Sequence, residues 1–140
     1  INKNGVDDAR SGLISMLVSN KVYYDLLHTH IKPEEFVEDF YVRTVEYIYS
    51  LYNEGKPVNK ENVISYFETV EEQSRITKLF VRQVGYIDEE IEKALNDLVK
   101  KVKEAYYDKL INDDYSNPKL PELMELKRNV SKLYISLSDG

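Results

Sequence analysis

Cysteine is missing from this 140-residue chain, which excludes disulfides, thiol catalysis and cysteine-ligated metal sites and fits a reducing compartment, the cytosol being the simplest. No apolar run is long enough to span a membrane, and Ile1 to Gly5 do not lead into the apolar segment of a signal peptide. The first residue is Ile1 and not Met, so the chain reads as a piece of a longer protein. An excess of positive charge is lacking as well. The net charge is −6, with 10 basic and 13 acidic side chains in residues 1–87 and 9 and 12 in residues 88–140, so no basic domain hides inside the acidic total. A sequence-independent grip on nucleic acid needs clustered cations that release phosphate counterions, and it is not expected here. The densest cationic group, Lys100, Lys101 and Lys103, is flanked by Asp97, Glu104 and Asp108 and reads as a solvated helix face.

Other absences narrow the function further. There is no G-x-S-x-G, no glycine-rich phosphate loop and no adjoining His-Asp pair, so catalysis, cofactors and metals are not expected. The two histidines, His28 and His30, would point about 200° apart on a helix and make a poor metal pair. Glu34, Glu35, Glu38 and Asp39 crowd a helix start, where carboxylates are common, and need no catalytic explanation. No strand pattern and no internal repeat stands out. The chain is expected to be all-α.

The longest uninterrupted helical pattern is Asp88 to Asp113. Ile91, Leu95, Leu98, Val102, Ala105 or Tyr106, and Leu110 recur at steps of three and four, with Asp88 as the expected N-cap. Such a helix spans roughly 39 Å, so part of it should project beyond a small domain. Leu120 to Ser138 repeats the pattern through Leu123, Leu126, Val130, Leu133 or Tyr134, and Leu137, with Pro121 in its first turn. The short, turn-rich connector 114–119 favours an antiparallel helical hairpin.

Ahead of it, the spacing predicts helices over Asp7 to Val18 and Lys21 to Leu27, the second capped by Asn20. A turn follows at Pro33 to Phe36, then a long helix from Asp39 to Glu54, stopped by Gly55. Asn59 is expected to cap a helix over Lys60 to Thr69. Glu71 to Gln83 should form another, with Ile76, Leu79, Phe80 and Val84 inward and Gly85 closing it. Residues 1–87 thus read as a helical bundle with its own core, able to fold alone, and residues 88–140 as a long helix plus hairpin. Near the hairpin tip, Tyr106, Tyr107, Leu110, Ile111, Tyr115, Leu120, Leu123 and Met124 are more apolar than one pairing seam requires, which makes them the expected binding residues.

The order Ala9-Arg10-Ser11-Gly12-Leu13-Ile14, Ile31-Lys32-Pro33-Glu34-Glu35-Phe36, Arg43, and Ile48-Tyr49-Ser50-Leu51-Tyr52-Asn53-Glu54-Gly55 with Pro57-Val58 resembles a helical bundle shared by two bacterial replication proteins. These are the C-terminal domain of the DNA primase and the N-terminal collar domain of the hexameric replicative helicase. The helicase domain continues with a Gly-Gly plus Tyr-Leu segment, which Gly85-Tyr86-Ile87 is not. A long helix leading to a terminal hairpin that ends near Gly140 is similar to the primase. The resemblance implies a cytoplasmic, monomeric module that docks onto the helicase N-terminal domain and couples primer synthesis to unwinding, with no direct hold on nucleic acid. The alternative is the helicase collar, which self-associates. The primase's catalytic core and zinc-binding domain have no counterpart in these residues.

Overall fold

The computed structural model describes residues 5–82 and 88–137. Helix α1 (Val6–Ser19) begins after Gly5, whose positive φ of 74° suits glycine, and carries Asp7 and Asp8 in its first turn. Its second half is apolar on more than one side, and Leu13, Ile14 and Leu17 are completely buried. That is possible because α1 is packed against several neighbours: α2 (Lys21–Leu27), α3 (Asp39–Asn53), α5 (Val70–Arg82) and α6 (Asp88–Asp113). It is the central helix that its composition suggests.

The caps expected at Asn20 and Asn59 are present, whereas Asp88, the expected cap of α6, is that helix's first residue. Asn20 Oδ1 accepts the Val22 amide at 2.9 Å at the start of α2, and Asn59 Oδ1 accepts the Asn62 amide at 2.8 Å at the start of α4 (Lys60–Tyr66). Gly55, at φ 71°, ends the turn after α3, and the Lys56 amide returns to the Leu51 carbonyl at 2.8 Å. Tyrosine hydroxyls close two more backbone acceptors: Tyr52 donates to the Leu17 carbonyl and Tyr49 to the Ile31 carbonyl at 2.9 Å. Helix α4 stops at Tyr66, three residues before the expected end, because Phe67 turns extended and buries its ring against Phe40, 5.2 Å between centroids. Val84 and Gly85, the expected inner edge and stop of α5, lie outside the described residues.

Between α2 and α3 a 3-10 turn (Pro33–Phe36) buries Phe36 and Glu35. It is followed by Val37 at φ 66°, ψ −64°, a γ-turn in which the Glu38 amide bonds the Phe36 carbonyl at 2.8 Å. A β-branched residue there is strained. Phe36 before it and Phe40 after it are both buried.

Helix α6 runs for 26 residues, as its pattern suggests. It is covered by α1 and the 3-10 turn, and by α7 (Leu120–Val130). Leu95, Val99 and Val102 are fully buried and belong to one apolar cluster with Leu13, Leu17, Ile31 and Phe36. Helix α7 runs back beside α6, with Lys127 pairing Asp108 at 2.5 Å and, beyond the helix, Ile135 meeting Asn96. Helix α7 is shorter than expected and ends at Val130 rather than at residue 138. Residues 131–132 turn, and beyond them Leu133, Ile135 and Leu137 alternate with Tyr134 and Ser136 and pack inward while Tyr134 is 62% exposed. The described residues are all-helical apart from such connections, with no strand among them.

Candidate interaction surface

The C-terminal half of α6, the connector and α7 form a two-helix layer on the bundle. The connector is built from side-chain-capped turns, in which Asp114 Oδ1 accepts the Ser116 amide at 3.0 Å and Asn117 Oδ1 accepts the Lys119 amide at 2.8 Å. Pro121 in the first turn of α7 costs no helical hydrogen bond. Lys127 and Asp108 then pin the helices together, and the bond to Asp108 raises the lysine's pKa.

The expected binding residues do not share one face. Tyr106, Tyr107, Leu110 and Leu123 line a groove of about 360 Å³ between the layer and the 3-10 turn, together with Lys32, Glu34, Lys103 and Leu126. Burial first, and then the negative charge of Glu34 and Glu35, raises the pKa of Tyr106, while burial and Glu35 raise that of Tyr107. Ile111 and Met124 line a second cleft of about 720 Å³ on α6 and α7, where Glu104, Glu125, Arg128 and Lys132 give a mixed-charge rim. Tyr115 stands at the tip, 69% exposed, with its hydroxyl on Asn112 Oδ1 at 2.9 Å. Leu120 is half-buried at the start of α7. The eight residues therefore divide between two grooves, the tip and the helix start.

Sequence reasoning missed Leu126, 40% exposed on the rim of the smaller groove. Its place in the α7 periodicity assigns it to the seam, yet it borders the groove shared with the 3-10 turn residues Glu34 and Glu35. Lys103 was also misjudged. Rather than facing solvent with its lysine neighbours, it turns inward and donates to Glu35 at 2.6 Å and to the His30 carbonyl at 2.8 Å.

The carboxylates around the 3-10 turn do not converge. Glu35 bonds Lys103, Glu38 pairs with Arg75 at 2.7 Å, and Asp39 lies 3.5 Å from Arg43. Arg43 reaches Glu72 at 2.6 Å, the main cause of its raised pKa, and lies over the rings of Tyr66 and Phe67. Arg75 sits 4.1 Å from the Phe40 ring centroid and Arg10 5.8 Å from that of Tyr41. These contacts tie α5 and α1 to α3, giving Arg43 a structural use. His28 stacks on Tyr24, with its Nδ1 2.8 Å from the Tyr24 carbonyl, and His30 lines the smaller groove. Among the described residues no group of three or more His, Cys, Asp or Glu is placed to hold a metal, and no helix is long and apolar enough to cross a membrane.

Comparisons with protein-family models, with curated proteins and with solved structures give no match to this chain.

Proposed function

We propose that this chain is a protein-interaction module, the helicase-binding domain of a bacterial DNA primase, which docks onto the N-terminal collar of the hexameric replicative helicase. In this reading it performs no chemistry itself, works in the cytoplasm, and brings primer synthesis to the unwinding fork. The observation that carries the reading is the two-helix layer of α6 and α7, which keeps Tyr115, Met124 and Leu126 exposed, Leu126 on a groove lined by tyrosines and leucines and Met124 on a cleft whose other lining is mostly charged and polar. Large apolar side chains set in a polar rim suit a protein interface. The ordered motifs from Ala9 to Val58 supply the family, and the acidic charge disfavours a nucleic-acid partner.

Sedimentation of the chain, alone and with the N-terminal domain of a bacterial replicative helicase, tests the reading. The chain alone should be a monomer, and it should co-sediment with the helicase ring. A chain that forms rings by itself would instead be the collar domain. A monomer that ignores the helicase would end the proposal.

A further inference from the structure

Asn96 is 3% exposed, an amide set into the same stretch of α6 as the fully buried Leu95 and Val99. Burying an amide is costly unless its donors and acceptor are satisfied. Here backbone groups satisfy them, two from another segment and one from α6 itself. Asn96 Oδ1 accepts the Ile135 amide at 2.7 Å, and Nδ2 donates to the Ile135 carbonyl at 2.8 Å and to the Glu92 carbonyl at 2.9 Å. One turn earlier on α6, Glu92 Oε1 accepts the Leu137 amide at 2.8 Å, and its other carboxylate oxygen accepts the Tyr134 hydroxyl.

The spacing explains why this works. Four residues of helix rise about 6 Å and two residues of extended chain about 6.6 Å, so side chains at i and i+4 of a helix meet alternate residues of an extended segment. Glu92 and Asn96 thereby act as a ladder built from side chains. Asn96 grips only main-chain groups of the segment, so its part of the recognition does not depend on sequence, while Glu92 takes the Leu137 amide and also the hydroxyls of Tyr134 and Ser136. The apolar requirement is a branched residue in the buried place of Ile135, with a second apolar residue two positions on. The rest of the occupant is only partly covered: Tyr134 is largely exposed apart from its hydroxyl on Glu92, and Leu133 and Leu137 are half-buried against the edge of the apolar cluster.

We propose that Glu92 and Asn96 on α6 form a binding site for an extended peptide segment, filled here by the chain's own residues 133–137 acting as a strap, and open to a competing segment of a partner protein with an Ile-x-Leu pattern. The seated strap is the template for that ligand. Neither Glu92 nor Asn96 lines either of the two grooves.

A blocked, fluorescently labelled peptide with the sequence of Lys132 to Leu137 tests this by anisotropy against the full chain. In Ile135→Asp the strap loses its buried anchor, and the peptide should bind that variant at least tenfold more tightly than the native chain. Adding Asn96→Leu should undo at least tenfold of the gain. Equal binding to the native chain and to folded Ile135→Asp, or binding that ignores Asn96→Leu, overturns the proposal. If circular dichroism shows that Ile135→Asp has lost its helices, hydrogen exchange on the native chain decides. The Ile135 amide should then be protected at least tenfold less than that of Val99, as expected for a strap that lifts by itself. Equal protection would mean that the strap leaves only when the whole fold opens, and the proposal fails.

Discussion

Lys103 of α6 donates to Glu35 of the 3-10 turn at 2.6 Å, and the two side chains are 14% and 7% exposed. The pair joins residues 68 apart in sequence, and both side chains line the smaller groove. Glu35 also accepts the Lys32 amide at 2.7 Å through its second oxygen, so neither carboxylate oxygen is left bare. Removing the lysine alone strands a buried carboxylate. Lys103→Met should therefore cost about 3 kcal/mol of stability. Glu35→Gln combined with Lys103→Met should cost less than Lys103→Met alone, because no charge is then left unpaired. Thermal or denaturant melts of the two variants check this, and a double variant at least as unstable as the single one would be against it.

The apolar cluster crosses residue 87, where the sequence suggests a boundary. Leu95, Val99 and Val102 are fully buried within it, and burying one such side chain is worth roughly 1.5–3 kcal/mol. Losing three of them is comparable to the whole stability of a small domain, about 5–15 kcal/mol. A fragment ending at Ile87 should melt without a cooperative transition. A sharp transition in that fragment would show instead that the bundle is a subdomain able to fold alone.

Four tyrosines predict the alkaline behaviour. Burial is the main cause that raises the pKa of Tyr49, Tyr52, Tyr106 and Tyr107. A group whose folded pKa is raised gives stability that is present below the unfolded value, about 10 for tyrosine, and lost as pH rises through the folded value. Stability should be insensitive to these groups near neutrality and fall above about pH 10. Following tyrosinate absorbance and helicity together checks it, since the steep part of the ionisation should coincide with loss of helix. Helices that persist after all the tyrosines have ionised would contradict it.

Most of the architecture is legible in the sequence. Asn20, Asn59 and Gly55 act locally, through their own backbone neighbours, and each is found where its type and position suggest. Periodicity locates α1, α3 and α6 for the same reason. What the sequence hides is set by distant partners. Val99 breaks the expected seam because α6 is covered on more than one side. Lys103 looks like one of three solvated lysines until Glu35 is brought beside it. Residues 133–136 fit a helical spacing as well as a spacing of two, and Asn96, far away in the chain, draws them out of helix by taking the Ile135 backbone. The candidate surface divides between two grooves because the 3-10 turn stands against one side of the layer only.

The proposed grip of the α6–α7 layer on a replicative helicase is tested by the affinity of the full chain and of surface variants for the helicase N-terminal domain. Leu126 and Met124 are both partly exposed, one on each groove, so Leu126→Asp and Met124→Asp should leave the thermal melt nearly unchanged. At least one of them should weaken binding by about 2 kcal/mol or more, as loss of a central anchor does, and the one that does so identifies the docking groove. Unchanged affinity in both variants, in Ile111→Asp and in Leu123→Asp would contradict the account, because no part of the layer would then be the docking element.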